Sequence, residues 1–260
     1  MGFPKKWSGC IFARQYLTQS TKMKLLLFLT TLMFSSSARL VAGFRAPFFT
    51  TTTSVPLKGR LSTSAAAAAA KTVLVPIGHG SEEIETTCIV DTLVRAGAEV
   101  TLASVEPEAL CVMSRGVRIM ADASFADDPS LEMKSWDAIV CPGGMPGAEK
   151  LRDSDALNRL LEKQNGEGKI VAAVCAAPAV VLEAKGILRG KKATCYPALP
   201  FISKLELEEG RYTGDADVVV DGHVVTSRGP GTSLKFALKL VELLFGEEKA
   251  EELTQQMLVR

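Results

Sequence analysis

The sequence predicts an α/β protein in which a mainly parallel sheet is covered by helices on both faces. From residue 72 onward, short and mostly apolar runs alternate with segments of helical periodicity. Repeated strand–helix units of this kind form parallel sheets, which are buried on both sides. Two segments instead have the pattern of hairpins. The 189 residues that follow residue 71 suit one domain with a sizeable core.

The first strand–helix unit begins with Thr72–Ile77, a mostly apolar run. It leads through a Gly-His-Gly turn into a helix, for which Ser81 is a suitable N-cap. We expect this helix to end at Gly97, because glycine readily adopts the left-handed conformation found after helix C-termini. Residues 99–105 form the next predicted strand.

The rest of the chain contains three more predicted buried strands, two hairpin-like segments and two closing helices. The strands are residues 138–141, 170–174 and 193–195. The hairpins cover residues 110–121, around Arg115-Gly116, and 218–226, around the strong turn signal Asp221-Gly222. The helices cover residues 232–244 and 247–258. We expect the functional site in loops at the carboxyl ends of the parallel strands.

Residues 1–71 have the composition of a targeting segment. They hold ten basic residues and no acidic one, and residues 25–34 form an apolar run shorter than the roughly 20 residues that span a bilayer. Small residues at 41–43 suit cleavage before Phe44, and the stretch that follows is rich in Ser and Thr. This resembles the two-part plastid presequence of algae with complex plastids; secretion and a long mitochondrial leader are the alternatives.

An Ala-rich linker at residues 64–70 ends this segment. The sequence therefore divides into a presequence with linker, residues 1–71, and a folded domain, residues 72–260. All 29 acidic residues and 20 of the 30 basic ones lie in the domain, so its formal net charge is −9. Nucleic-acid binding is not expected, because it needs clustered Lys and Arg. The five cysteines of the domain are odd in number and lack framework spacing, which favours reduced thiols.

Cys175 is the first candidate for a reactive group. Five apolar residues of a predicted strand run directly into it, and a helical pattern over residues 179–188 follows. A tight strand-to-helix turn exposes its middle residue, and a helix N-terminus favours a thiolate. An ordinary thiol with a pKa of about 8.5 is only about 3% ionised at pH 7, so we expect a lowered pKa. The alternative is a small cysteine that fills the core.

Glu85 lies in the first turn of the first predicted helix, between mostly apolar neighbours. If it points inward, burial raises the pKa of its carboxyl, which then donates a hydrogen bond to a nearby thiolate. The alternative is a solvated carboxylate, which is the expected state of Glu82 and Glu83.

Glycines follow a further strand end in Cys141-Pro-Gly-Gly-Met-Pro-Gly. Gly143 and Gly144 allow the backbone to approach closely, and the N–H groups of Gly144 and Ala176 are suited to hold an oxyanion together. An ordinary Gly/Pro loop explains the same pattern.

Cofactor and metal sites are not expected. The Gly78-x-Gly80 turn lacks the third glycine of a dinucleotide fingerprint, and there is no P-loop motif. The two histidines, His79 and His223, are too few for a metal site without paired cysteines at ligand spacing. We expect His223 to be exposed in its hairpin and place His79 at the same sheet edge as Cys175.

Four motifs of the chain resemble the DJ-1 branch of the DJ-1/PfpI superfamily in order and spacing. They are Glu82-Glu-Ile-Glu85, Cys141-Pro-Gly-Gly144, Val174-Cys-Ala-Ala-Pro178 and Thr226-Ser-Arg-Gly-Pro-Gly-Thr232. The resemblance, which extends over residues 71–260, implies a flavodoxin-like sandwich of the class I glutamine amidotransferase type and a homodimer. It also implies Cys175 as nucleophile and Glu85 as its protonated partner, Gly144 and Ala176 as oxyanion donors beside Gly143, and Arg115 and Arg228 near the site or the dimer interface.

One position departs from the family. Tyr196 stands where several relatives carry a histidine near the cysteine, so proteolysis, which needs an imidazole base, is not expected. His223 is followed by Val224 and Val225. The His-x-Glu pair of the related amidotransferases is therefore missing, and amidotransfer is not expected either.

The resemblance leads to an expected activity on reactive dicarbonyls such as methylglyoxal, of the glyoxalase III or deglycase type. Small aldehydes or glycated groups are the expected ligands, without a cofactor, and the mature form is not expected to bind membranes. The alternatives are a redox sensor or redox-responsive chaperone that acts through oxidation of Cys175, and a scaffold with an inert thiol.

Overall fold

The computed structural model describes residues 70–207 and 209–260. The signal, cleavage and linker features predicted for the presequence lie outside these residues, apart from its last two, Ala70 and Lys71. Lys71 immediately precedes the first strand, and its Nζ lies 3.3 Å from Oδ1 of Asp137. No helix in the described part of the chain is both long and apolar enough to span a bilayer.

The described residues contain nine strands. In chain order they are β1 (Thr72–Ile77), β2 (Glu99–Ser104), β3 (Leu110–Val112), β4 (Arg118–Met120), β5 (Ala123–Ser124), β6 (Ala138–Cys141), β7 (Ile170–Val174), β8 (Val218–Asp221) and β9 (Val224–Ser227). Seven form one sheet in the order β5-β2-β1-β6-β7-β9-β8, in which every pair except β8–β9 is parallel. The pair β3–β4 is a separate antiparallel hairpin.

In the same part of the chain, six α-helices surround the sheet: α1 (Glu83–Ala96), α2 (Gly147–Asp153), α3 (Asp155–Gly166), α4 (Leu199–Leu205), α5 (Ser233–Phe245) and α6 (Glu247–Gln256). Helix α5 packs against both α1 and α6, and α2 packs against α3. The predicted sandwich, with a mainly parallel sheet between helices, is confirmed.

The central strands are apolar along their whole length because both faces of the sheet are covered. Val73, Leu74, Ile139 and Val171 are fully buried. Burial of such side chains is the main stabilising contribution to the fold, at about 1.5–3 kcal/mol each. The carboxyl ends of β1, β6 and β7 lie side by side, so the loops that follow them meet at one edge.

Three local predictions are wrong. Residues 193–195 are not a strand: Ala193 makes an isolated bridge to Tyr212, and Pro197 lacks the N–H that would extend the pairing. Residues 179–188 do not form a regular α-helix. The first four of them belong to a π-helical segment, Pro178–Leu182, which is followed by a short 3-10 turn, Glu183–Lys185.

The third concerns the start of α1. Its N-cap is Glu82, whose carboxylate accepts the Glu85 N–H at 2.7 Å. Ser81 lies one position before the cap, and its hydroxyl accepts the Gly78 N–H at 3.1 Å. The predicted end of this helix at Gly97 is confirmed, with φ 97°.

Candidate active site

Cys175 forms the tight turn at the end of β7. Its φ is 65°, in the left-handed region that side chains other than glycine rarely adopt. Its N–H donates to the Ser227 carbonyl at 3.0 Å, and its own carbonyl accepts the Tyr196 N–H at 2.8 Å. Backbone strain of this kind amounts to about 1–3 kcal/mol and persists where surrounding contacts fix it. The turn brings the side chain out of the strand, and Cys175 is 9% exposed while Val174 is fully buried.

Glu85 points inward and meets Cys175. It is fully buried in the first turn of α1, and its carboxyl lies close enough to the Cys175 thiol for each group to shift the pKa of the other. Its Oε2 accepts the Gly143 N–H at 2.7 Å. Its other oxygen, Oε1, is buried and has no hydrogen-bond partner among the described residues. This oxygen is therefore available to carry a proton toward the sulfur.

The glycine loop after β6 lies against Cys175 and Glu85. A Cβ on Gly143 would lie 2.6 Å from the Cys175 Cβ and 2.9 Å from Glu85 Oε2. Gly144 has φ 86°, and its N–H and that of Ala176 lie close enough to the Cys175 sulfur to lower the pKa of the thiol. The two N–H groups predicted to work together thus lie beside the same atom.

Replacing Gly143 with alanine is therefore expected to disrupt the site. The added methyl group cannot fit without displacing the cysteine or the carboxylate, because contacts below 3.0 Å are too short for carbon atoms. We expect the rate of Cys175 alkylation to change several-fold. The rate of any reaction that depends on Cys175 should fall by at least about tenfold. Gly166→Ala is the matched control, since nothing lies within 4 Å of a Cβ at that position. Equal behaviour of the two variants would show that the loop does not shape the site.

Two acids share the buried centre. Burial raises the pKa of Glu85 to about 7, against an ordinary value of 4.5, although the Gly143 N–H lowers it. Burial, followed by the charge of ionised Glu85, raises the pKa of the Cys175 thiol, and the N–H groups of Gly144 and Ala176 lower it. The prediction that the pKa of the Cys175 thiol is lowered is therefore wrong. The two groups titrate as a pair, and its first proton leaves at about neutral pH.

The raised pKa of Glu85 has a consequence for stability. The folded state binds more protons than the unfolded state between pH 4.5 and 7, so this contribution is present below pH 4.5 and lost as pH rises through 7. Relative to Glu85→Gln, the native chain should lose roughly 2–3 kcal/mol of unfolding free energy between pH 5 and pH 8. Urea unfolding at both pH values measures this difference. If the difference in unfolding free energy between the two chains is the same at both pH values, the pKa of Glu85 is not raised.

Glu82 and Glu83 are buried, contrary to the prediction of a solvated face. The Glu83 carboxylate accepts the Ser114 hydroxyl at 2.7 Å and the Arg115 N–H at 2.8 Å. Buried carboxylates need such donors, and here the β3–β4 turn supplies them. Sequence reasoning missed this because the partners lie about 30 positions apart; the concentration of three acids in one turn was the available signal.

The two predicted arginines lie in the flanking loops. The Arg115 side chain is exposed, and its guanidinium donates to the Ser114 carbonyl at 3.1 Å. Arg228 follows Ser227 and lies 3.5 Å from the exposed Asp215, while its buried Nε has no partner among the described residues. Neither guanidinium is among the groups that hydrogen-bond to Cys175.

The histidines are engaged elsewhere. His79 Nδ1 accepts the Val112 N–H at 3.0 Å, which fixes the ring against the hairpin. His223 is half-buried rather than exposed, because its Nε2 lies 2.8 Å from the amide oxygen of Asn165. Burial lowers the pKa of His223. In the part of the chain that the structure describes, no group of three or more His, Cys, Asp or Glu residues could hold a metal ion.

The strand-turn cysteine, the buried acid and the glycine loop agree with the comparison to known families, in which the model of the DJ-1/PfpI family matches residues 71–243. The chain belongs to the DJ-1/PfpI family. It is 42% identical over 190 residues to Protein DJ-1 homolog A of Arabidopsis thaliana. This match covers 73% of the chain and 47% of the Arabidopsis protein, so the chain spans about half of that relative's length.

Two further relatives bear on the DJ-1 branch. Glutathione-independent glyoxalase DJR-1.2 of Caenorhabditis elegans is 37% identical over 192 residues, which are 73% of this chain and 97% of that protein. The solved structure of oxidized Toxoplasma gondii DJ-1 is 46% identical, with a TM-score of 0.68, and the match covers 73% of this chain and 98% of that one. These likenesses extend over the whole described domain.

Proposed function

We propose that this DJ-1 family member is a cofactor-free cysteine enzyme that acts on reactive dicarbonyls. The observation that supports it is the convergence of the Gly144 and Ala176 N–H groups and the Glu85 carboxyl on one strained cysteine. Methylglyoxal to lactate is the proposed reaction, and removal of early glycation adducts from protein or nucleotide groups follows the same chemistry. The name of the C. elegans relative supports this substrate class.

The first proposed step forms a covalent adduct. After the Glu85–Cys175 pair has lost its first proton, the reactive form has the remaining proton on Glu85 and the charge on sulfur. The N–H groups of Gly144 and Ala176 favour this form, whereas burial of the thiol opposes it. The thiolate attacks the aldehyde carbon, and the electron pair of the carbonyl moves to its oxygen. The Gly144 and Ala176 N–H groups hold this oxyanion, and Glu85 gives it a proton.

The later steps move hydrogen within the substrate. Glu85 takes the proton from the former aldehyde carbon and returns it to the neighbouring carbon. The hydroxyl proton on the oxygen of the first carbon moves to the oxygen of the second, and the adduct becomes the thioester of lactate. Water then cleaves the thioester and releases lactate and the thiol. One carbon is oxidised and its neighbour is reduced, so the reaction balances without an external redox cofactor.

The direct test is lactate formation from methylglyoxal by the purified chain without glutathione or added metal. Turnover that depends on Cys175 supports the proposal. An active-site thiol that is intact and alkylatable in a chain without turnover on methylglyoxal or on glycated peptides would contradict it.

The second candidate is a redox sensor or redox-responsive chaperone. Peroxide would oxidise Cys175 in two steps to a sulfinate, whose oxygens would meet the same N–H donors and a protonated Glu85. The Toxoplasma relative was solved as an oxidized DJ-1, which favours oxidation chemistry in that protein. Intact mass after peroxide treatment separates the candidates: a stoichiometric gain of two oxygens without dicarbonyl turnover indicates sensing.

A homodimer and a plastid location also remain proposals. Large apolar side chains are exposed on α1 and the β3–β4 hairpin, among them Ile84, Val94, Val112 and Met120, and their burial by a second copy would support a dimer. Sedimentation of the native chain and of Met120→Glu tests the dimer, and a monomeric native chain would contradict it.

A fluorescent fusion of residues 1–71 tests the plastid location, and signal outside plastids would contradict it.

A further inference from the structure

Tyr196 is held against the backbone of Cys175 on the β9 side of the site. Its N–H donates to the Cys175 carbonyl at 2.8 Å. Its ring lies over Gly229, where an added Cβ would be 3.4 Å from the Tyr196 Cδ2. Gly229 comes two residues after Ser227, whose carbonyl accepts the Cys175 N–H. The ring therefore bridges the two segments that fix the reactive cysteine.

The ring is fixed in place and faces solvent. Tyr196 is 44% exposed, and it packs edge-to-face on Phe201 with ring centroids 6.4 Å apart. Phe201 packs against the hydrophobic core, and the turn between the two is closed by hydrogen bonds from Ala198 N–H to Tyr196 and from Phe201 N–H to Ala198. A preorganised aromatic surface loses little conformational freedom when a ligand packs on it.

The loop after β6, which also adjoins Cys175, has the opposite chemistry. Gly143 and Gly144 present backbone there without side chains, and the Glu85 carboxyl lies among them. The backbone N–H groups of this loop and the carboxyl offer hydrogen bonds to the oxygen atoms of a dicarbonyl, whereas Tyr196 offers an aromatic surface.

We propose that Tyr196 determines substrate specificity, and that the site prefers α-oxoaldehydes with an aromatic or bulky apolar substituent over methylglyoxal. This inference rests on the proposed function and names its substrate class. The ring of Tyr196 packs against the substituent while the two carbonyl oxygens face the Glu85 side. An aromatic contact of this kind corresponds to a roughly two- to tenfold preference.

The kinetic test compares phenylglyoxal with methylglyoxal. The ratio of their kcat/KM values should fall by roughly two- to tenfold in Tyr196→Ala, mainly through KM for phenylglyoxal. Tyr196→Phe keeps the ring without the hydroxyl and should retain the ratio. A ratio that falls equally in both variants would assign the preference to the hydroxyl and overturn the proposal.

A second measurement does not depend on turnover. The rates at which N-phenylmaleimide and N-ethylmaleimide modify Cys175 are measured by mass spectrometry, and their ratio should be several-fold higher in the native chain than in Tyr196→Ala. If this ratio falls while the native chain turns over no dicarbonyl, the proposed function fails and the aromatic selectivity stands. An unchanged ratio overturns the inference whatever the turnover. A Cys175 that reacts with neither reagent also overturns it, because no ligand would then reach the ring.

Discussion

Replacement of Cys175 by alanine is expected to abolish lactate formation from methylglyoxal, with a fall in kcat/KM of at least about 10³-fold. In the proposed reaction the substrate forms its covalent bond to this sulfur, beside which the Gly144 and Ala176 N–H groups lie. The fold should persist, because alanine is smaller than cysteine and the backbone turn is fixed by hydrogen bonds to Ser227 and Tyr196. Thermal unfolding of the variant checks this.

Cys88→Ala is the matched control for this experiment. Cys88 is a half-buried thiol on α1, and burial raises its pKa as it does that of Cys175. It lacks the strained turn, so its removal should leave turnover within about twofold. Unchanged turnover in purified Cys175→Ala, or equal losses in both variants, would refute the assignment of the nucleophile.

Replacement of Glu85 by glutamine is expected to lower turnover by roughly 10²- to 10⁴-fold, the usual contribution of a positioned acid–base group. The amide oxygen can still accept the Gly143 N–H, so the loop should stay in place. The side chain can no longer pass a proton between sulfur and substrate. The loss should therefore appear in kcat, and the limb of the pH–rate profile near pH 7 should disappear.

Glu82→Gln separates this effect from a change of charge. Glu82 is also buried, and its amide could still cap α1 by accepting the Glu85 N–H. The substitution removes one negative charge near Glu85 and leaves the sulfur unchanged. Turnover should therefore change only a few-fold, while the pKa of Glu85 falls. If Glu82→Gln loses as much activity as Glu85→Gln, the carboxyl at Glu85 has no special role.

Much of the fold could be predicted because its signals are local. The apolar runs of β1, β6 and β7, the glycine at the end of α1 and the Asp-Gly turn near β8–β9 each lie within a few residues. The strand predicted at residues 193–195 is wrong, because a short buried run is apolar whether or not it pairs as a strand. The two-residue strand β5 gives too short a pattern to detect.

In the site, too, the local features could be predicted and the contacts between distant residues could not. The strand-to-helix motif placed Cys175 in a tight turn, and the glycines after β6 indicated close backbone approach. Whether Glu85 pointed inward was undecided from the residues alone, because the answer depends on Gly143, which is 58 positions away. The coupling of the two acids was also hidden, since the sequence predicts a thiolate from the helix N-terminus and does not show the charge that Glu85 places beside it.

The most direct test of the account is the pH profile of Cys175 alkylation by iodoacetamide, measured at that residue by mass spectrometry. Loss of the first proton from the Glu85–Cys175 pair should give a rate that rises with an apparent pKa of about 7 and then levels off. In Glu85→Gln this inflection should be absent. A rate that keeps rising through pH 8.5–9, as for an ordinary thiol, would show that the two acids do not share a proton and would contradict the account.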